Sequence, residues 1–177
     1  VLTQTLDQFA TAADTQEEYE AAVKKFQRAN GLKADGIAGK ATLNAMGINS
    51  SSSSSGTGGS SSNELALLSR VVYSEARGEP YVGQVAVAAI VLNRVSHSSF
   101  PNSVAGVVYQ SGAFDAVSDG QINLTPDATA RKAAQDAING WDPTYGCIYY
   151  FNPNTATNKW IWSRPLVKVI GKHRFCK

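Results

Sequence analysis

The chain is poor in the residues that most readily give away a metal, a redox centre or a membrane. Its 177 residues include two cysteines and two histidines. Cys147, Cys176, His97 and His173 match a zinc site in number, but they lack the close ligand pairs that make such a site recognisable. Neither cysteine lies where a strand turns into a helix, and neither has a nucleophile signature around it. Both fall in predicted strands, so a disulfide or a pair of buried thiols is expected, with no metal and no cofactor. No apolar run is long enough to span a bilayer, and a net charge of +2 is too mild for a nucleic-acid binder. Acid is missing from the end of the chain. No Asp or Glu follows Asp142, whereas Lys159, Arg164, Lys168, Lys172, Arg174 and Lys177 do. That asymmetry predicts a basic face, either simply solvated or weakly attractive to carboxylates through screened fields.

What is present is organised around residues 65–95, LALLSRVVYSEARGEPYVGQVAVAAIVLNRV. Leu68, Val71 and Val72 precede Glu75 by seven, four and three residues, which on a helix places the glutamate on the apolar side. Gly78 and Pro80 then stop the helix, leaving Glu75 in its last turn at the edge of the core. A carboxyl against hydrocarbon resists ionisation, so its pKa should rise into the range of a general acid. The competing reading is a surface ion pair, but Arg77 and Arg70 are spaced wrongly for a helical partner. Glu79, beyond the stop, reads as a solvated loop residue.

The same stretch carries a resemblance. VVYSEARGEPYVGQVAVAAIVLNRV, then SFPNSVAGVVYQSGAFDAVSDGQIN, then WDPTYGCIYYFNPNTATNKWIWSRPLVKVIGKH resemble, in order, the SleB/CwlJ family of spore cortex-lytic cell-wall hydrolases. The resemblance runs from about residue 65 to the C-terminus. It implies cleavage of cortex peptidoglycan glycan strands and places the essential glutamate of the family at Glu75.

Ahead of this region, EEYEAAVKKFQRANGLKADGIAGKATLNAMG sets Tyr19, Ala22, Val23 and Phe26 at helical spacing, with a second short helix carrying Leu43 and Met46. FQRANGL and DGIAGKATL resemble the peptidoglycan-binding repeat module, whose first half is poorly matched before Asp14. A small helical cap without a ligand is the alternative. Residues 49–62 are almost wholly Ser and Gly and read as a flexible tether, spanning about 20 Å on the scaling for such chains. The expected organisation is therefore a binding module over 1–48, a linker over 49–63 and a catalytic domain over 64–177. Val1 in place of Met suggests a trimmed, exported form.

Within the catalytic region, Ser61 and Glu64 have capping-box spacing at the start of the Glu75 helix. A second helix over residues 82–95 presents Val85, Ala88, Ala89 and Leu92 and opens with Gln84, which either points toward Glu75 or lies on the surface. GAFDAVSDGQIN reads as a loop around Phe114, Asp115 and Asp119. Either aspartate would serve as a second carboxyl if it approached Glu75 at the separations glycosidases use, whereas Asp119 before Gly120 also suits an ordinary turn. Thr125 and Pro126 are expected to open a third helix. CIYYF, PLVKVI and HRFCK read as strands, the last two joined through Gly171 and Lys172. Between the first two, a polar loop carries Trp160 and Trp162. One of these is expected in the core and the other against sugar, with Asn152 and Arg164 bonding the edges. The pair Tyr150 and Asn152 also resembles a Tyr-Asn pair of lysozyme-like lytic enzymes, with core packing of Tyr150 as the alternative.

These readings converge on an α+β, lysozyme-like catalytic domain with a small C-terminal antiparallel sheet, preceded by a helical peptidoglycan-binding module. Glu75 is the expected acid. Gln84, Phe114, Asp119, Tyr150 and Asn152 are expected to contact substrate, with Trp162, Ser163 and Arg164 at the tryptophan loop. The resemblance implies lytic transglycosylation at the MurNAc-GlcNAc bond; a monomer in the spore envelope, with a spore protein that restrains or stabilises it, is the expectation beside it. A muramidase or glucosaminidase, a non-catalytic wall binder and a cysteine peptidase are the alternatives.

Overall fold

The computed structural model of the chain describes residues 16–45 and 58–177. The weakly patterned first residues, Met46 and the Ser/Gly run up to residue 57 lie outside the described residues, as do the side chains of Tyr19 and Leu43.

The amino-terminal module consists of α1 (Gln16–Ala29) and α2 (Lys40–Ala45). Val23 and Phe26 on α1 are fully buried and join the main core. Gln27 beside them is the hub of the module. Its Nε2 lies 2.9 Å from Asp35 Oδ1, 2.9 Å from the Ile37 carbonyl and 3.0 Å from Thr42 Oγ1, while its Oε1 accepts from the Gly36 amide at 2.9 Å. One buried amide thus holds the whole ADGIAG turn.

Three helices form the core of the region that follows. α3 (Gly58–Ala76) packs against α4 (Tyr81–Ser96) and α7 (Ala128–Ile138), which also pack on each other. Leu68, Val71 and Val72 face inward with no exposed surface, as their spacing predicts. α3 begins at Gly58, so residues 58–63, expected in the flexible linker, are helical, and Ser61 and Glu64 sit on its opening turns and do not frame its start. Residues 85–91 of α4 are buried without interruption, because this helix runs through the centre and has no solvent face there. Ala86 and Ala88 share one cluster with Ala130, Ala133, Ala134 and Ala137 of α7, small side chains permitting close approach of the backbones. Truncating Leu68 or Ile90 to Ala should cost about 2–5 kcal/mol. The cap of α7 is Asp127, whose Oδ1 accepts from the Ala130 amide at 2.7 Å. It displaces the expected Thr125 start because its carboxylate reaches the orphan amides of the first turn.

Two short helices, α5 (Val104–Val108) and α6 (Asp115–Ser118), lie between α4 and α7, followed by a single 3-10 turn at Gln121–Asn123. The stretch expected as loop around Asp115 is therefore partly helical. Ser103 caps α5, accepting from the Gly106 amide at 3.0 Å.

The sheet has the order β1-β3-β2, all antiparallel, from β1 (Tyr149–Phe151), β2 (Leu166–Ile170) and β3 (His173–Cys176). Tyr150 stands opposite Phe175, and Ile170 opposite His173. The last turn of α4 anchors the entry to β1: Asn93 Nδ2 donates to the Cys147 carbonyl at 2.9 Å and Arg94 Nε to the Ile148 carbonyl at 2.7 Å. The two cysteines are buried and unbridged, and burial pushes the Cys147 thiol up to about 11. In the tryptophan loop, α8 (Lys159–Trp162) leaves Trp160 48% and Trp162 46% exposed, so neither enters the core; Trp141 is the buried tryptophan. Trp160 instead stands edge-on to Tyr149, and Trp162 edge-on to Phe151.

Candidate active site

Glu75 lies in the last turn of α3, and Gly78 at φ +87° ends that helix in the left-handed conformation glycine favours. The helix end opens into a cleft of about 520 Å³, whose other walls are the 112–115 segment, β1, the 155–158 turn and His173. Tyr150 Oη donates to Glu75 Oε2 at 2.9 Å, and the Ala116 amide donates to Oε1 at 3.4 Å. Among the described residues no basic side chain forms an ion pair with Glu75. Arg77 turns away, its Nη2 bonded to Gln121 Oε1 at 2.8 Å and its guanidinium 5.4 Å from the Tyr73 ring.

Burial raises the Glu75 pKa above the usual carboxylate range, assisted by the negative charges of Asp115 and Asp119 and opposed by the Tyr150 and Ala116 hydrogen bonds. Burial, then the neighbouring glutamate, pushes the Tyr150 phenol well above its ordinary value. The phenol therefore stays protonated and donates. The result is a carboxyl that holds its proton unusually long and is fixed in direction by a neutral donor, which is what a general acid requires.

Phe114 and Asn152 also line the cleft. Phe114 is buried with its ring 5.4 Å from the Arg94 guanidinium, and Asn152 Oδ1 accepts from the Asn154 amide at 3.0 Å to shape the turn. The remaining expected contacts lie outside the cleft lining. Gln84 is buried and donates to the Glu79 carbonyl at 3.3 Å, serving a backbone group between α3 and α4. The Asp119 carboxylate folds back onto the Gln121 amide at 3.0 Å and Gln121 Nε2 at 2.8 Å, bonds that hold its pKa below the usual range. Ser163 caps α8, its Oγ donating to the Trp160 carbonyl at 2.7 Å. Arg164 Nε donates to the Lys177 carbonyl at 2.8 Å, and its guanidinium stacks over Tyr149 and Trp160. Trp162 supports the wall from behind, edge-on to Phe151 at 4.9 Å and donating from Nε1 to the Ala156 carbonyl at 3.3 Å.

Three charged or titratable lining residues stand outside the expected contacts. Asp115 faces the cleft as an exposed carboxylate. Arg94 is buried, stacked among Phe100, Phe114 and Tyr149 and without an ion pair among the described residues. Its signal in the sequence is a lone charge at the end of an otherwise apolar helix. His173 is legible in the sequence only as a metal or nucleophile partner. Glu79, expected in solvent, accepts from the Lys172 amide at 2.9 Å and so fastens the β2–β3 hairpin to the end of α3. Among the described residues no three His, Cys, Asp or Glu side chains gather as a metal site, and no helix is long and apolar enough to cross a membrane.

Comparison with known proteins agrees with this architecture. The cell wall hydrolase family matches residues 78–176, starting three residues after Glu75, and a peptidoglycan binding domain family matches residues 12–46. A spore cortex-lytic enzyme of Bacillus cereus is 49% identical over 185 aligned positions, covering 88% of this chain and 71% of the relative. The spore cortex-lytic enzyme of Bacillus subtilis is 61% identical over 120 residues, covering 68% of this chain and 39% of that protein. The crystal structure of the catalytic domain of the Bacillus cereus SleB protein superposes with a TM-score of 0.64 at 63% identity, covering 68% of this chain and 94% of that one. The catalytic domain of a germination-specific lytic transglycosylase, SleB from Bacillus anthracis, superposes with a TM-score of 0.65 at 61% identity, covering 69% of this chain and 100% of that one.

Proposed function

Since this chain belongs to the cell wall hydrolase family, we propose that it degrades spore cortex peptidoglycan during germination as a lytic transglycosylase. The observation that carries the reading is the half-buried carboxyl of Glu75, lining an open cleft, held by the Tyr150 phenol and with its pKa raised by desolvation. Glu75 donates its proton to the oxygen between N-acetylmuramic acid and N-acetylglucosamine, and the C1–O bond breaks. The carboxylate left behind takes the proton of the muramic C6 hydroxyl as O6 bonds to C1, closing a 1,6-anhydro ring and restoring the acid. One carboxyl suffices for the cycle, and the intramolecular nucleophile needs only orientation by the cleft walls. The description of the Bacillus anthracis relative as a lytic transglycosylase supports this choice.

A second reading has one observation in its favour: Asp115 lines the same cleft and would help water attack as a base, making the enzyme a hydrolase. Asp119, spent on its own turn, is the weaker partner for that role. Mass spectrometry of digested cortex separates the two, because transglycosylation leaves anhydro ends and hydrolysis leaves reducing ends. Glu75→Gln should abolish both products while retention on isolated peptidoglycan persists; undiminished cleavage would remove Glu75 from the mechanism.

The remainder of the proposal follows from the family matches. The amino-terminal module binds the wall, the Ser/Gly stretch tethers it, and residues 64–177 cleave. Tethering raises the local concentration of the catalytic part at an insoluble polymer. The site of action is the spore envelope.

A further inference from the structure

His173 takes no part in the proton transfers above, yet it lines the same cleft. It opens β3, is only 8% exposed, lines the cleft that holds Glu75, and stands edge-on to the Tyr150 ring with centroids 5.0 Å apart. Its Nδ1 is buried without a hydrogen-bond partner among the described residues. An orphaned N–H is rarer in folded proteins than an orphaned acceptor, so the proton of the neutral ring belongs on Nε2. Burial, aided by the Lys172 charge and opposed by Glu79, favours that neutral ring. Among the described residues Nε2 has no hydrogen-bond partner, and with Nδ1 enclosed it is the nitrogen that meets solvent on the cleft side.

The ring is also stiffly mounted. The hairpin ahead of it is pinned by the Glu79 bond to the Lys172 amide, and Gly171, at φ +55°, has the Glu79 carboxylate where a Cβ would be. A rigid, unspent N–H donor in a binding cleft is preorganised for an acceptor. A carboxylate would draw a second proton onto the ring, and a hydroxyl brings a donor of its own; a carbonyl oxygen only accepts.

We propose that His173 is a positioning residue whose uncharged Nε2–H receives an amide carbonyl oxygen of the glycan, from an acetamido group or a lactam. The proposal rests on the reading of this cleft as the glycan-cleaving site.

The test uses the full chain carrying Glu75→Gln, so that binding is read without turnover, against N-acetylated glycan oligosaccharides, the same glycans de-N-acetylated, and lactam-containing cortex fragments. His173→Phe keeps the ring and His173→Asn reaches only the Nδ1 position, whereas the amide of His173→Gln extends to the place of Nε2–H. With Phe or Asn, binding of the carbonyl-bearing glycan should weaken about tenfold, the loss of one hydrogen bond, and Gln should recover most of it. On glycan lacking the responsible carbonyl the variants and their parent should bind alike. A loss confined to N-acetylated strands identifies the acetamido group, and one confined to cortex fragments identifies the lactam. Equal losses on every glycan, or Gln no better than Phe, would overturn the proposal. If a variant fails to fold, the parent's own preference among the three glycans decides, and no preference for the carbonyl defeats it. Undiminished cleavage by Glu75→Gln would instead count against the proposed function alone.

Discussion

Two polar centres, buried Gln27 in the amino-terminal module and half-buried Glu75 in the cleft, lie at opposite ends of a scale of satisfaction. The Gln27 amide meets three acceptors and one donor within 3.0 Å and leaves nothing for a ligand. Glu75 has one short bond and one long one, a pKa raised by burial, and a neighbour in His173 whose Nδ1 is unpartnered. Burial of a polar group is thus no mark of chemistry in itself. The Gln27 network is complete and structural; the cleft is left incomplete, and incompleteness costs stability that only a function would retain.

The comparison can be broken at four points. Glu75→Gln should have the largest effect, a loss of glycan cleavage of about 10²–10⁴-fold, measured by muropeptide release. It should not destabilise the fold at neutral pH. A carboxyl whose folded pKa is raised favours the folded state only while protonated, and that advantage is lost as pH climbs from the ordinary carboxylate range through the raised value. The melting temperature of Glu75→Gln relative to wild type should therefore improve with pH across that window.

Gln27→Leu should do the reverse, costing about 1–3 kcal/mol because the Gly36 amide and the Thr42 hydroxyl lose their partner. Urea unfolding should show this, with turnover of soluble glycan unchanged. Tyr150→Phe removes a bond that lowers the Glu75 pKa, so the acid should stay protonated to higher pH. We expect about a tenfold lower rate at the optimum, with the alkaline limb of the pH-rate profile moved upward. Asp119→Asn should be the mildest, altering stability by no more than about 0.5 kcal/mol and leaving the product pattern unchanged, since the amide oxygen still accepts from Gln121.

Much of this architecture is legible in local periodicity. Leu68, Val71 and Val72 set the direction of α3, Gly78 marks its end, and the alanine spacing of α7 gives its buried side. What stays hidden depends on contacts between distant segments. Tyr150 and Glu75 meet across 75 residues, and only tertiary packing decides whether a strand tyrosine faces the core or the acid. Thr125-Pro126 is a sound start signal that loses to Asp127 because the latter's carboxylate actually reaches an amide. Trp160 and Trp162 have the hydrophobicity of core residues, yet their rings pair with Tyr149 and Phe151 on the outer side of the sheet. Glu79 reads as free because its partner, a backbone amide 93 residues away, has no signature of its own.

That last bond has a consequence for how the protein can change over generations. Glu79 grips main chain and not a side chain, so the identity of residue 172 is open to drift while the number of residues in the turn is not. Adding or deleting one there would slip the pleat of β3 and carry the imidazole to the opposite face, away from the cleft it lines.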